Sequence, residues 1–182
     1  MDNGESSYRR FLTGDDSGLV EIIRDYKDGL IFYLNSFMRD ISSAEELCED
    51  TFVKLAVKKP NFRGRSSFKT FLYAIGRNVA LDYLKKAKKH ISIDEIPELA
   101  GYDDPVQEYI KEERKLAVHR AMGQLRPEYR QALWLTYFEG LSNKETADVM
   151  KKSVHSVETL MYRARQALKK LLEKEGFVYE EL

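Results

Sequence analysis

Cysteine is scarce in this 182-residue chain, where Cys48 is the only one. A single thiol forms neither an internal disulfide nor a zinc site built from several thiolates, so both kinds of cross-link are excluded. Acidic residues flank Cys48, and acidic neighbours raise the pKa of a thiol, which disfavours a reactive thiolate. We therefore interpret Cys48 as a small packing residue.

Long apolar runs and turn-forming residues are also scarce. No stretch of about 18 apolar residues occurs, which excludes a membrane-spanning helix. Residues 1–10 lack the apolar core of a secretory signal. Only 10 glycines and 4 prolines are present, so the chain is not of low complexity. Together these features predict a globular protein without membrane insertion that works in the cytoplasm.

Patterns that carry catalysis or bind metals are missing as well. The histidines His90, His119 and His155 stand far apart, without the spacing of metal ligands. The sequence contains neither a phosphate-binding glycine loop nor a nucleophile elbow. We therefore expect no enzyme activity, no cofactor and no metal site.

The net charge is zero, because 30 basic residues balance 30 acidic ones, but the two signs are separated along the chain. Residues 58–90 hold ten lysines and arginines and one acid, whereas residues 91–113 hold eight acids and one lysine. Such a concentration of uncompensated positive charge favours a polyanionic partner. The basic block therefore points toward nucleic acid.

Apolar residues recur at spacings of three and four along nearly the whole chain, and no alternating strand pattern of useful length occurs. The exception is residues 90–106, where prolines and a glycine interrupt an acidic, polar stretch typical of a linker. We predict an all-α fold of two small helical domains, residues 1–89 and 107–182, joined by this acidic flexible linker. In the first domain, the pair Ser43 and Glu46 predicts a helix start.

Helix boundaries are marked clearly in the second domain. Gly140 predicts the end of one helix, and Ser142 with Glu145 forms a capping-box pattern that begins the next. Residues 151–153 form a short turn before a last helix from Val154. Two short helices joined by a three-residue turn are typical of a DNA-binding helix-turn-helix. A helical hairpin without DNA function has the same outline, and this alternative stays open.

The last helix has an apolar and a polar face, and a polar face at its start can read base edges in the major groove. The apolar face repeats at spacings of three and four and is expected to pack on the core. The candidates for contacts to duplex DNA are Lys152, Ser153, His155, Ser156, Glu158, Thr159, Tyr162, Arg163 and Arg165.

Residues 62–86 mix positive charge, hydroxyl groups and aromatic rings. Cations neutralise phosphates, hydroxyls bond phosphate oxygens and aromatic rings stack on unpaired bases, so this mixture predicts a surface for single-stranded DNA. Phe62 and Tyr73 are the stacking candidates, while Asn78 either contacts a base or lies within helix packing. The candidates are Phe62, Arg63, Arg65, Ser66, Ser67, Lys69, Thr70, Tyr73, Arg77, Asn78, Lys85 and Lys86.

Three segments resemble, in order, the functional segments of one family. Residues 43–55, which contain Glu-Asp-Thr-Phe, look like the polymerase-binding helix of sigma factors. Residues 62–86, with Phe-Lys-Thr-Phe-Leu-Tyr-Ala-Ile-Gly-Arg-Asn, resemble the segment that recognises the minus-10 promoter element. Residues 141–172, with Tyr-Arg-Ala-Arg-Gln-Ala-Leu, resemble the minus-35 recognition module. Order, spacing and the short linker are similar to the extracytoplasmic-function (ECF) group of the sigma-70 family of RNA polymerase sigma factors.

This resemblance implies a function and a set of partners. The chain is expected to direct promoter-specific transcription initiation by melting the minus-10 element and recognising the minus-35 element. Its expected partners are core RNA polymerase, promoter DNA and an anti-sigma factor, and the free protein is expected to be a monomer. The polymerase-binding residues that it implies are Glu45, Glu46, Glu49 and Asp50. Glu158 and Leu160 stand where the family usually has basic residues, so the promoter element is expected to differ.

The alternative is a helix-turn-helix regulator that acts without polymerase. Such proteins usually dimerise in order to read paired half-sites. They need neither the acidic helix nor the basic, aromatic segment, both of which are present here. A free monomer therefore favours the sigma factor, and a free dimer favours the regulator.

Overall fold

The computed structural model describes residues 3–90 and 113–174, and every regular element within these ranges is a helix. This confirms the all-α prediction. The expected linker, residues 90–106, lies outside the described residues except for His90. A π-helical turn, Trp134–Phe138, continues α6. The helices are α1 (Asn3–Leu12), α2 (Ser17–Met38), α3 (Ile41–Lys58), α4 (Phe68–His90), α5 (Glu113–Gln124), α6 (Pro127–Leu133), α7 (Asn143–Met150) and α8 (Val154–Lys174).

The first domain, α1 to α4, packs around a group of aromatic rings. Tyr8 of α1 is fully buried, and its ring centroid lies 5.3 Å from that of Phe68 and 6.0 Å from that of Phe71. The Tyr8 hydroxyl donates to the carbonyl oxygen of Pro60 at 2.8 Å. These contacts hold the loop 59–67, which begins the predicted single-strand surface, against the helices.

The start of α3 differs from the prediction. Asp40 is the N-cap, in an extended conformation, and its carboxylate accepts a hydrogen bond from the backbone N–H of Ser43 at 3.1 Å. Ser43 therefore lies inside the helix, and the prediction of a start at Ser43 is wrong. A carboxylate three residues earlier satisfies the free N–H groups of the first turn, so the helix begins there.

The ends of the helices in the second domain follow the sequence pattern. Pro127 lies in the first turn of α6, and Gly140 has a φ of +69° where the chain leaves the π-helical turn. The Ser142 hydroxyl accepts from Glu145 N–H at 3.2 Å, and the Glu145 carboxylate accepts from Ser142 N–H at 3.0 Å. These hydrogen bonds confirm the capping box. The helices α7 and α8, joined by residues 151–153, form the predicted helix-turn-helix.

The two domains pack directly against each other within the described residues. Arg130 of α6 is 6% exposed, and its guanidinium donates to the carbonyl oxygen of Ser36 at 2.7 and 2.8 Å. Ser36 lies in the last turn of α2, where unpaired carbonyl groups favour a cation. Beside this contact, the rings of Trp134 and Phe32 lie 5.6 Å apart. One continuous apolar core therefore extends from the first domain into the second.

No helix in the described part of the chain is both long enough and apolar enough to cross a membrane.

Candidate nucleic-acid interface

The helix α8 presents one polar face to solvent along its first three turns. Val157, Met161 and Ala164 are buried where α8 packs on α6 and α7, so the intervening side chains point outward. The duplex-contact candidates on this helix share that outward face. They are His155, Ser156, Glu158, Tyr162, Arg163 and Arg165, which are exposed, and Thr159, which is half-buried.

The turn before α8 has a structural role as well. The Ser153 hydroxyl accepts from the backbone N–H of Ser156 at 3.1 Å and so caps the helix. The Lys152 ammonium lies 3.3 Å from the carboxylate of Glu128 on α6. Glu158 is exposed, and its ionic neighbour in the described part of the chain is the exposed His155, 3.9 Å away. An exposed pair of this kind contributes little, so the Glu158 carboxylate is available to an outside donor.

The single-strand candidates divide into an exposed and a covered group. Arg63 and Arg65 in the loop before α4 are exposed, as are Lys85 and Lys86 near its end. Ser66, Arg77 and Asn78 are half-buried. Four further candidates, at the start of α4, contact the second domain: Ser67, Lys69, Thr70 and Tyr73.

Phe62 is placed as a packing residue in this arrangement. Its ring meets Phe71 at a centroid distance of 5.1 Å and meets Phe68 edge-on at 5.8 Å. The ring is half-buried and fixes the loop to α4. The contacts with Phe68 and Phe71 hold the ring in place.

The other stacking candidate, Tyr73, is fully buried between the domains. Its ring lies 5.3 Å from that of Tyr33, and burial raises the pKa of its hydroxyl, with the carboxylate of Glu139 raising it further. The same carboxylate lies 2.8 Å from the Lys69 ammonium, which also donates to the Glu139 carbonyl oxygen at 2.9 Å. Tyr73 therefore has no free face for a base while the domains are in contact.

The hydroxyl groups of Ser67 and Thr70, which precede Tyr73 in the chain, contact a second glutamate, Glu145. Glu145 accepts hydrogen bonds from Ser67 at 3.0 Å and from Thr70 at 3.3 Å. Burial alone would raise the pKa of Glu145, but the hydrogen bonds from Ser142, Ser67 and Thr70 outweigh burial and lower it. Sequence reasoning assigned Glu145 to the capping box and missed this contact, because a single residue fills both roles.

The acidic residues of α3 lie together on its exposed face. Glu45, Glu46, Glu49 and Asp50 are all exposed. One turn further along, Val53 and Val57 are 58% and 71% exposed, so the acidic face continues into an apolar strip. Sequence reasoning missed these two valines, although their four-residue spacing, off the core stripe, could have indicated them.

Cys48 lies on the opposite, packed face of α3. It is 1% exposed, and burial raises the pKa of its thiol to about 12. This confirms a packing residue. Within residues 3–90 and 113–174, no cluster of three or more histidine, cysteine or acidic side chains could hold a metal ion.

Comparison with known proteins identifies the two domains. The family model for Sigma-70 region 2 matches residues 22–90, and that for Sigma-70 region 4 matches residues 115–168. The chain is 31% identical to the ECF RNA polymerase sigma factor SigM of Bacillus subtilis, over 83% of this chain and 93% of SigM. It is 29% identical to the RNA polymerase sigma-H factor of Pseudomonas aeruginosa, over 90% of this chain and 91% of that protein.

Solved structures share the fold. The structure of CnrH in complex with the cytosolic domain of CnrY superimposes with a TM-score of 0.70 at 21% identity, covering 95% of this chain and 99% of CnrH. The sigma factor RpoE from Bartonella quintana, in complex with the anti-sigma factor NepR, gives a TM-score of 0.70 at 22% identity, covering 84% and 95%.

Two helical domains that match Sigma-70 regions 2 and 4, in that order, define a transcription initiation factor. The chain belongs to the sigma-70 family of RNA polymerase sigma factors, in its ECF group. Its function is that of a sigma factor in promoter-specific initiation, which favours the main prediction over the polymerase-independent regulator.

Proposed function

We propose that three separate surfaces of this chain divide the work of a sigma factor between polymerase, minus-10 DNA and minus-35 DNA. The observation that carries the proposal is that α3, α4 with the loop before it, and α8 each carry one chemically distinct set of candidate residues, of which only the start of α4 is covered by the second domain. These surfaces are acidic and apolar, basic with hydroxyls and aromatic rings, and polar at the start of a recognition helix. The chain supplies binding and orientation in the cytoplasm, and the polymerase performs the chemistry.

The polymerase surface is the exposed face of α3. Glu45, Glu46, Glu49 and Asp50 steer the helix toward a basic surface by opposite charge. Val53 and Val57 then bury apolar area on contact, which gains about 25 cal/mol per Å². This pairing of charge with apolar contact favours a protein partner over DNA.

The minus-10 surface begins in the loop before α4 and continues along that helix. Arg63, Arg65, Lys69 and Arg77 attract the phosphates of either strand, with Lys85 and Lys86 extending the attraction. Asn78 contacts a base that has left the duplex, and Tyr73 can do so only after the second domain has moved away from α4. Flipping a base costs a few kcal/mol, and stacking and hydrogen bonds on the protein offset that cost.

The minus-35 surface is the outward face of α8. Its first exposed turns hold His155, Ser156, Glu158 and Thr159, which lie where a recognition helix meets base edges. Arg163 and Arg165 follow on the same face and neutralise phosphates. The domains that carry the two DNA surfaces are residues 1–89 and 107–182.

An anti-sigma factor is a further proposed partner. Two structures that share this fold are that of CnrH, solved with the cytosolic domain of CnrY, and that of the sigma factor RpoE, solved with the anti-sigma factor NepR. A chain of the same fold and family offers comparable surfaces. We extend this partner class, without a particular protein, to the present chain.

Charge reversal on α3 tests the assignment of its surface. Glu46→Lys with Glu49→Lys should weaken binding to core polymerase at least tenfold, because the reversed charges repel the partner. Asp25→Lys with Asp28→Lys is the matched control, since both acids are exposed on α2. Affinity is measured by titrating labelled protein with core enzyme, and circular dichroism verifies the helix content. Equal affinity of both double variants would remove the acidic face from the interface.

A further inference from the structure

We propose that the second domain holds the minus-10 surface closed in the free chain, with Glu139 and Glu145 occupying the positions that DNA phosphates take on α4. The proposal rests on the proposed function of α4. It adds that the two glutamates compete with DNA for α4, so the second domain must move away before the minus-10 strand can bind there. Two independent contacts, one for each glutamate, support it.

Glu139 enters the first domain as a buried anion. Its side chain is 8% exposed and accepts from Trp134 Nε1 at 3.3 Å and from the Lys69 ammonium at 2.8 Å. The helix α2 leaves room for the carboxylate, because a Cβ at Gly29 would lie 2.6 Å from both Glu139 Oε1 and the Tyr73 hydroxyl. The recess thus accepts an anion beside the buried Tyr73 ring.

Glu145 closes the neighbouring part of the surface. Its carboxylate accepts from the hydroxyls of Ser67 and Thr70, which are within hydrogen-bonding distance of each other at 2.8 Å. Thr70 is 2% exposed, so an acceptor from outside the chain does not reach it in this arrangement. Because hydrogen bonds hold the pKa of Glu145 below the ordinary 4.5, the carboxylate is charged at neutral pH.

Carboxylate and phosphate oxygens accept the same hydrogen bonds and neutralise the same cations, so both cannot hold these donors at once. Arg63, Arg65, Lys85 and Lys86 remain exposed in the closed chain. The closed chain therefore retains attraction to any strand, while Tyr73 and Thr70 stay out of reach. Opening adds the contacts that distinguish one sequence from another.

Removing each glutamate's charge tests the proposal in the full chain. The variants are Glu139→Gln and Glu145→Gln, and glutamine at 145 preserves the capping box. Asp148→Asn is the matched control, since this exposed acid lies on α7 beyond the contact. The probe is a short fluorescent single strand, selected from a random pool by the chain bound to core polymerase. A scrambled strand of the same composition accompanies it, and binding is followed by anisotropy.

We expect each glutamine variant to bind the selected strand roughly fivefold more tightly than the wild type, because a larger fraction of chains is open. The scrambled strand and the control variant should each change less than twofold. Unchanged affinity, weaker binding, or an equal gain for Asp148→Asn or for the scrambled strand would overturn the proposal, since these outcomes indicate no competition or a general charge effect.

A distance measurement supplies a second readout. Fluorophores on cysteines introduced at the exposed Lys54 and Gln166 report the separation of the domains, and the buried Cys48 does not label. Energy transfer should fall when the strand binds the wild type and should already be lower in the glutamine variants. Equal energy transfer in the free wild type, the strand-bound wild type and the glutamine variants would overturn the proposal of a closed chain. Specific run-off initiation by the wild type with core polymerase keeps the proposed function standing in that case, whereas its absence would overturn both.

Discussion

Charged side chains between the two domains are bound by specific partners rather than left to solvent. Arg130 donates to backbone carbonyl groups of both domains, including Ser36 O and Gly123 O. Glu139 pairs with Lys69, and Glu145 accepts hydroxyl groups of the first domain. A buried charge without such partners costs several kcal/mol. These residues therefore specify one arrangement of the domains, while the apolar core supplies the attraction.

Glycine at position 18 permits the close contact of α1 and α2. A Cβ there would lie 2.1 Å from Ser7 O and 2.9 Å from Phe11 N, and both atoms belong to backbone that cannot turn away. Gly18→Ala should lower the free energy of unfolding by about 2–3 kcal/mol, as overpacking does. Urea unfolding measures it. Val20→Ala, on an exposed residue of the same helix, should stay within about 0.5 kcal/mol. Equal changes in the free energy of unfolding for the two variants would mean that α1 and α2 accommodate a Cβ at position 18 without loss of stability.

Glu158 supplies a prediction about sequence preference. Its exposed carboxylate can accept from cytosine N4, a contact worth about 1–3 kcal/mol of discrimination. Glu158→Lys should change the preferred base at one minus-35 position, because a lysine donates to guanine instead. Selection from a randomised minus-35 library measures this, with Glu173→Lys near the end of α8 as the control. The same motif from both variants and the wild type would exclude Glu158 from base contacts.

At the scale of the element, we propose that α4 combines two kinds of attraction to DNA. Arg77 and the exposed cations are the candidates for contacts with phosphates, which do not depend on sequence, whereas the half-buried Asn78 is the candidate for contact with a base. The two contributions differ in their response to salt. Phosphate contacts release counterions on binding, and hydrogen bonds to bases do not.

Two substitutions separate these contributions. Arg77→Ala should weaken binding to all single strands alike and flatten the slope of affinity against salt by roughly one unit. Asn78→Ala should reduce discrimination between selected and scrambled strands with little change in slope. Anisotropy across a salt series measures both, with Asp82→Asn on the same helix as the control. One common slope and equal losses on every strand would contradict two separable contributions.

The sequence predicted the elements better than it predicted their surroundings. Capping residues such as Ser142 and Ser153 act within a few positions of the chain, so their hydrogen bonds could be predicted locally. The start of α3 was mispredicted because Asp40 and Ser43 compete for the same first turn. The burial of Tyr73 could not be predicted, because its neighbours Tyr33 and Glu139 both lie far from it along the chain and no local pattern marks the contact.

At the scale of the whole molecule, the proposed binding surfaces differ in accessibility. The outward face of α8 and the acidic face of α3 are exposed, but the first turns of α4 lie against α7 and against Glu139, which follows the π-helical turn. A free chain in this arrangement can present its polymerase surface before its single-strand surface. This order suits a protein that needs polymerase before it opens a promoter.

The contact between the domains should depend on pH through Glu145. Hydrogen bonds lower its pKa below the ordinary 4.5, so the stabilisation is present above that value and is lost as pH falls through the lowered pKa. Urea unfolding of the wild type and of Glu145→Gln, from neutral pH down to about pH 3, gives the difference in stability. That difference should shrink in acid. Because Asp15, Glu21 and Asp40 also have lowered pKa values, only the difference between the variants is diagnostic.

Initiation on genomic DNA tests the central claim most directly. Core RNA polymerase, with and without the purified chain, transcribes a fragmented genomic library, and the 5′ ends of the run-off products are sequenced. With the chain present, we expect the start sites to concentrate at positions preceded by shared minus-10 and minus-35 elements. Start sites distributed as they are with core polymerase alone would contradict the assignment of this chain as a functioning sigma factor.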